Sequence, residues 1–356
     1  MEEKEMINQM LKEGKISQQE ADKLLAALKQ SYGLDSDEKI EDYQSQKEDD
    51  GSRSFKKKSR ENDEDSKISK MIRENIEHTV NNSTGIIEEI KSLFNGFFGA
   101  GYDFVDTYRG EFSTETPLID LNNTNGKIKI KTWEKDDYKL DLNYSISAND
   151  ETEAEKIKED ILNLTDEGDR LILNIGNKTG HRISVDIFLS LPENIVYDTN
   201  IESTNGKIRV KELQCKGLRV NTKNGKMTLQ NVRGTNTKVI GTNGKIYFNG
   251  ISDEVFLKTT NGKIKADLYH GNMNLELKTT NGSQEVNIPT DTEFYIDSKV
   301  KMGSIGIALE NINWVKEKEK VVKKHYIVNS KNWNEEKDGI KVKARTTNGS
   351  INVSYI

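Results

Sequence analysis

Thr204-Asn205-Gly206-Lys207-Ile208, Thr242-Asn243-Gly244-Lys245-Ile246 and Thr260-Asn261-Gly262-Lys263-Ile264 are three copies of one pentapeptide, and Lys223-Asn224-Gly225-Lys226-Met227 is a fourth. Thr280-Asn281-Gly282-Ser283 is a weaker copy. Outlying copies are Thr124-Asn125-Gly126-Lys127-Ile128 and Thr347-Asn348-Gly349-Ser350-Ile351. The central glycines fall at 206, 225, 244, 262 and 282, at intervals of 19, 19, 18 and 20, and Met302-Gly303-Ser304-Ile305 continues the beat at 21 without the Asn. Repetition at such a period is the mark of an array of supersecondary units, each too small to bury its own apolar face.

Asn-Gly tolerates positive φ, so each copy is a sharp bend between two extended arms. Before the Asn, alternate positions are apolar or Thr, as in Leu218, Val220, Thr222 and in Leu275, Leu277, Thr279. After the Gly the alternation resumes, as in Met227, Leu229 and in Ile246, Phe248. Its parity flips across the bend, so both arms turn their apolar side chains to one enclosed side. Two architectures satisfy this pattern. A hairpin meander would have one apolar face, and no helices are interleaved to cover it. A β-solenoid, one coil per unit of about 19 residues, covers its own interior. The expected fold is therefore mainly β, a β-solenoid with α-helical segments near the N-terminus. Its corner residues would be Asn125, Gly126, Asn205, Gly206, Asn224, Gly225, Asn243, Gly244, Asn261, Gly262, Asn281, Gly282, Asn348 and Gly349, with Asn205, Asn224, Asn243 and Asn261 stacked in a column.

Composition agrees with a thin core. Of 356 residues 33% are hydrophobic and 31% charged, with 53 Lys+Arg against 59 Asp+Glu. Residues 33–66 hold 12 acids and 7 bases, so this stretch carries most of the net charge of −6. The remainder is nearly neutral, which argues against a nucleic-acid partner. A single cysteine, Cys215, excludes a disulfide framework or a multi-Cys zinc site. The four histidines lie far apart, and no cofactor or metal motif occurs. No signal peptide or membrane-spanning run is present, so the expected location is cytoplasmic or peripheral at the membrane or cell envelope.

The chain divides into four stretches. Residues 1–32 read as a helical hairpin whose apolar stripe, Ile7, Met10, Leu11, Leu24, Leu25 and Leu28, would bind a protein or peptide partner or self-associate. Residues 33–66 read as a disordered, charged linker. Residues 67–108 read as an amphipathic helical segment ending in aromatics, with a peripheral membrane contact over 86–108 as one reading and a cap on the β-domain as the other. Residues 111–356 read as the β-repeat domain. Within it a helix is expected from Glu151 to about Leu164, and an exposed β-excursion over 310–345 carries the Lys-rich run 316–324, read as a solvated face.

The pentapeptide repeat, the segment Ile183–Pro192 (ISVDIFLSLP) and the helix at 151–164 together resemble the DUF4097 family, a bacterial β-strand repeat domain associated with adhesins. Glu13-Gly14-Lys15-Ile16-Ser17 and Glu20-Ala21-Asp22-Lys23-Leu24-Leu25 resemble the SHOCT-like helical module that precedes this domain in Gram-positive members. The resemblance implies a non-enzymatic interaction or scaffold protein of the cell envelope, in the setting of envelope stress or antimicrobial-peptide response, and carries over no catalytic residue. Two alternatives stand beside it: a cytoplasmic regulator touching a membrane stress-response complex, and a carbohydrate-active β-helix. The last would require a cleft of carboxylates and aromatics along one face.

Overall fold

Strands one repeat apart pair in parallel, which makes the repeat a β-solenoid and excludes the meander. The computed structural model describes residues 7–8, 11–12, 16, 18–31, 100–334 and 339–356. They belong to two units, residues 1–101 with 148–150 and residues 102–147 with 151–356.

In the first unit helix α1 (Gln18–Ser31) is closed near its start by a Gln18 side-chain bond to Asp22, 2.9 Å long. Ile7, Ile16, Ala21 and Leu24 are buried. The linker read over 33–66 and the helical segment over 67–99 lie outside the described residues.

The second unit begins at Tyr102, within β1 (Ala100–Gly110), and makes a first coil from β2 (Leu118–Asn125) and β3 (Ile128–Trp133). The chain then leaves the coil path for β4 (Tyr138–Ala148), α2 (Glu151–Ile161), β5 (Leu162–Glu167), β6 (Arg170–Ile175) and β7 (Ile183–Pro192). β6 and β7 stack in parallel on β2 and β3, while β5 and β4 add antiparallel edges to them. Coiling resumes with β8 (Tyr197–Asn205), β9 (Ile208–Lys211), β10 (Gln214–Asn224), β11 (Met227–Asn243) and β12 (Ile246–Asn261). It continues with β13 (Ile264–Leu268), β14 (Met273–Asn281), β15 (Gln284–Ile288) and β16 (Phe294–Ala308). β17 (Ile312–Lys320) and β18 (Lys323–Ser330) form an antiparallel hairpin beside β16, and β19 (Ile340–Tyr355) ends the chain.

Two sequence expectations are corrected here. The stretch read as helical to residue 108 is a strand from Ala100 onward. Tyr102, Phe104, Asp106 and Tyr108 alternate onto one half-buried face, and Lys158 of α2 lies 5.5 Å above the Phe104 ring and 2.7 Å from Asp106. The helix read to Leu164 stops at Ile161, after burying Ala154, Ile157 and Ile161. Leu164 instead stands opposite Leu173 in the β5–β6 pair, so the backbone groups there are satisfied by a ladder rather than by another helical turn.

The core consists of side-chain columns running from coil to coil. One passes Ile130, Val210, Leu229, Phe248, Ala266, Val286 and Val353, all at most 1% exposed. The bulk of Phe248 is offset by Ala266 beside it, the large-against-small exchange that keeps an interior at native density. The beat along the chain is not the order in space. β19 lies between the β14–β15 coil and β16, pairing in parallel with both, so the last strand in sequence is an internal rung.

Candidate functional site

The predicted corner residues form two columns. Nδ2 of Asn205 donates to Oδ1 of Asn125 at 2.9 Å, and Asn224, Asn243, Asn261, Asn281 and Asn348 each repeat the bond to the preceding asparagine at 2.8–2.9 Å. Asn125 starts the column by donating to the Ile183 carbonyl at 3.1 Å. Beside it run Gly126, Gly206, Gly225, Gly244, Gly262, Gly282 and Gly349, all at positive φ. Lys207, Lys226 and Lys245 follow on the exposed side, and the carbonyls of Lys207, Lys226, Lys245 and Lys263 accept ladder bonds.

The Asn column ends abruptly. Met302 occupies the next asparagine position, 54% exposed, and Oδ1 of Asn348 is left buried without a partner. Met302→Asn would restore the Asn-Gly pair and supply the missing donor while giving up little apolar burial. We expect stabilisation of about 0.5–1.5 kcal/mol, read as a rise of about 2–4 °C per kcal/mol in the thermal midpoint. No rise would mean that the terminal acceptor is already satisfied by solvent.

The predicted N-terminal residues are placed unevenly. Ile7 and Leu24 are at most 1% exposed. Leu11 and Leu25 are half-buried. Met10 and the side chain of Leu28 lie outside the described residues. Cys215 is buried, and that burial, aided by the charge of Asp198, pushes its thiol up to about 12, so it is not a nucleophile at neutral pH.

The most distinctive surface was not singled out in the sequence. Lys258 pairs with Lys278, Lys278 with Arg345, Arg345 with Lys299, Lys299 with His325 and His325 with Lys318, so six basic residues stand in register across six neighbouring strands. Adjacent strands lie about 4.8 Å apart, well inside the screening length of about 8 Å at physiological salt, so the charges of the four lysines and the arginine in the row add. Lys301, Lys320 and Lys323 lie two residues further along the same strands, and Thr280 and Thr347 stand in this second row, two residues beyond Lys278 and Arg345. Together these rows line a cleft of about 620 Å³ between the β17–β18 hairpin and the solenoid wall. Among the described residues sixteen line it, of which eight are Lys, one is Arg and one is His, and none is Asp or Glu.

Acids flank the cleft instead. Glu276 bonds Lys278 at 2.9 Å and Lys343 at 3.5 Å. Asp297 bonds Arg345, and also His325 at 2.8 Å. Burial pushes the Asp297 carboxyl up, but Arg345 and His325 outweigh it and hold it below its usual range. Burial also holds His325 below its ordinary value, with Lys299 and Lys316 acting the same way against the pull of Asp297. Lys258, Lys299, Lys301, Lys318, Lys320 and Lys323 have no carboxylate in ion-pair contact among the described residues. The row had a signal in the repeat: the position three residues before the Asn is Glu202, Asn221 and Ile240 in the early coils, then Lys258, Lys278 and Arg345.

A second depression of about 620 Å³ brings Glu254, Glu276 and Asp297 near Phe256 and Tyr295, the kind of surface a carbohydrate-active β-helix would need. Glycoside cleavage requires a carboxyl group that stays protonated near neutral pH. Burial raises Glu276, but Lys278 and Lys343 outweigh it and, like Asp297, it is held low, so neither is poised as that donor. Among the described residues no group of three or more His, Cys, Asp or Glu side chains could hold a metal ion, and no helix is long and apolar enough to cross a membrane.

Two-armed coils, stacked corner columns and rows of like side chains on the outer wall define a β-solenoid repeat protein. The chain belongs to the Toastrack DUF4097 family, whose model matches residues 119–354. Solved structures that the chain matches include a cell-adhesion candidate from Clostridium sporogenes, 15% identical, with 72% of this chain and 100% of that chain covered at a TM-score of 0.35. An adhesin candidate from Bacteroides fragilis is 13% identical, with 70% and 97% covered at a TM-score of 0.32. No curated protein matches the chain in sequence.

Proposed function

We propose that the chain is a non-enzymatic interaction scaffold of the bacterial cell envelope. The observation that carries this reading is the in-register row of six basic residues across six strands, which offers a repeated, rigid surface for binding. A wall of this kind presents many equivalent contacts rather than one reacting centre, and its acids are engaged with bases. The helical hairpin serves as a tethered recognition or self-association element, with Leu11 and Leu25 as its accessible apolar positions. The envelope setting, with a role in envelope stress or antimicrobial-peptide response, follows the sequence resemblance of both modules.

Fractionation of cells, with protease added to intact cells, tests this. The expected result is recovery with the envelope and cleavage by the external protease. Full protection together with recovery only in the cytosolic fraction would overturn the envelope reading in favour of a cytoplasmic regulator.

A further inference from the structure

We propose that the cleft between the β17–β18 hairpin and the solenoid wall binds a linear polyanion of closely spaced phosphate groups that carries no bases. This deepens the scaffold reading and rests on it, since the cleft is taken to hold a ligand and not to transform one. The sign of the ligand follows from the lining, where among the described residues nine side chains are permanently cationic and none is acidic. Its elongated form follows from the row: five strand-to-strand steps of about 4.8 Å span about 24 Å. A compact anion would engage only a fraction of the row and leave the remaining lysines facing one another.

The chemistry of the walls narrows the choice. Single-stranded nucleic acids are held by aromatic side chains on which bases stack. Among the described residues no Phe, Tyr or Trp lines this cleft. An extended acidic peptide presents a carboxylate to one face only at every second residue, about 6.7 Å apart, a looser spacing than the row. A flat anionic bilayer meets the rim of a concave site but not its floor. Phosphate groups, with several acceptor oxygens each, suit lysine ammonium groups as point-charge partners. Thr280 and Thr347 add hydroxyl donors on the same face. The six lysines with no carboxylate partner among the described residues are the ones such a ligand would neutralise.

The test is a titration of the full chain with medium-chain inorganic polyphosphate by calorimetry over a series of salt concentrations. Oligothymidylate, polyglutamate and phosphatidylglycerol vesicles are run beside it. Polyphosphate should bind tightest, with a slope of log K against log salt of about −4, as about 0.7 per neutralised charge over six lysines requires. Lys299→Glu with Lys318→Glu should weaken binding by at least about tenfold, and the slope should fall by about 0.7 for each lysine lost. Lys207→Glu with Lys226→Glu makes the same charge change on the exposed corner column and should leave affinity within about twofold. If the reversal variant does not fold, Lys299→Gln with Lys318→Gln replaces it, and the same reduction in slope is expected.

Equal losses in both pairs of variants would overturn the proposal, because the whole surface and not the cleft would then be binding. So would tighter binding of oligothymidylate, polyglutamate or vesicles, or binding of none of the four probes. Such failures leave the fractionation result untouched. Conversely, a protein confined to the cytosol that still binds polyphosphate through the cleft would overturn the envelope setting alone.

Discussion

Gly244→Ala should destabilise the protein by more than about 4 kcal/mol, the range reached only when a substitution meets a named structural obstacle. Two obstacles coincide at this residue. Gly244 has φ of +155°, a conformation that side chains rarely adopt, and a Cβ there would fall 1.8 Å from the carbonyl oxygen of Gly225. That oxygen cannot swing aside without moving the next corner, because each glycine in the column rests on the one before. Gly206, Gly225, Gly262, Gly282, Gly303 and Gly349 show the same approach, 1.7–2.2 Å. The corner is also laced by backbone bonds, Gly225 N donating to the Asn243 carbonyl and Gly244 N to that of Asn261, each at 2.9 Å. Gly180 is the control: its φ is +86°, and nothing lies within 4 Å of the added Cβ. Gly180→Ala should cost only about 1 kcal/mol. Denaturant unfolding followed by circular dichroism compares the two. A Gly244→Ala midpoint close to that of Gly180→Ala would show that the corners are not in contact.

The contrast explains what was legible in the sequence. Asn-Gly at a period near 19, with apolar parity flipping across it, forces a bend with both arms facing inward, so the solenoid and its corner residues can be read from one coil at a time. The spatial order of the coils cannot. Thr347-Asn348-Gly349 offers the same donors, acceptors and apolar offsets as any other copy, so nothing local says that it docks between Gly282 and Gly303 rather than after Gly303. The basic row was hidden for a related reason. Lys258, Lys278 and Lys299 recur at the repeat interval, but Arg345, His325 and Lys318 join them only through the inserted rung and the hairpin. Net charge averages such a row away. In the Lys-rich run of the hairpin, Lys318, Lys320 and Lys323 are exposed, as the solvated-face reading expects, but that reading did not show that with Lys324 they line one wall of a cleft. At β1 two periods compete. The aromatics at 94 and 97 fit a helix, while Tyr102, Phe104 and Tyr108 fit a strand, and their packing toward Lys158 decides for the latter.

Because β19 is internal, removing residues 339–356 should abolish cooperative folding of the repeat domain rather than fray its end. Ile340, Val342, Ile351 and Val353 are each at most 1% exposed. Burying four such side chains is worth about 6–12 kcal/mol, comparable with the whole stability of a typical domain. Their loss would also leave β14 and β15 with a bare apolar edge and detach β16, whose parallel partner is β19. The informative comparison is excision of residues 312–338 with Asn311 joined to Gly339. Ile312 stands opposite Ser330, whose Oγ accepts from the Phe294 amide, so the hairpin leaves and returns at the same end of the coil. The shortened connection, Leu309 to Gly339, then resembles the loop that joins β15 to β16. The excised chain should keep a single unfolding transition, at a midpoint lowered by the loss of Val328 and Tyr326 buried against β16, while losing one wall of the basic cleft. The truncated chain should show no such transition, although it removes fewer residues. A truncated chain that unfolds cooperatively near the full-length midpoint would mean that β16 docks directly on β14 and β15 and that the inserted rung is dispensable.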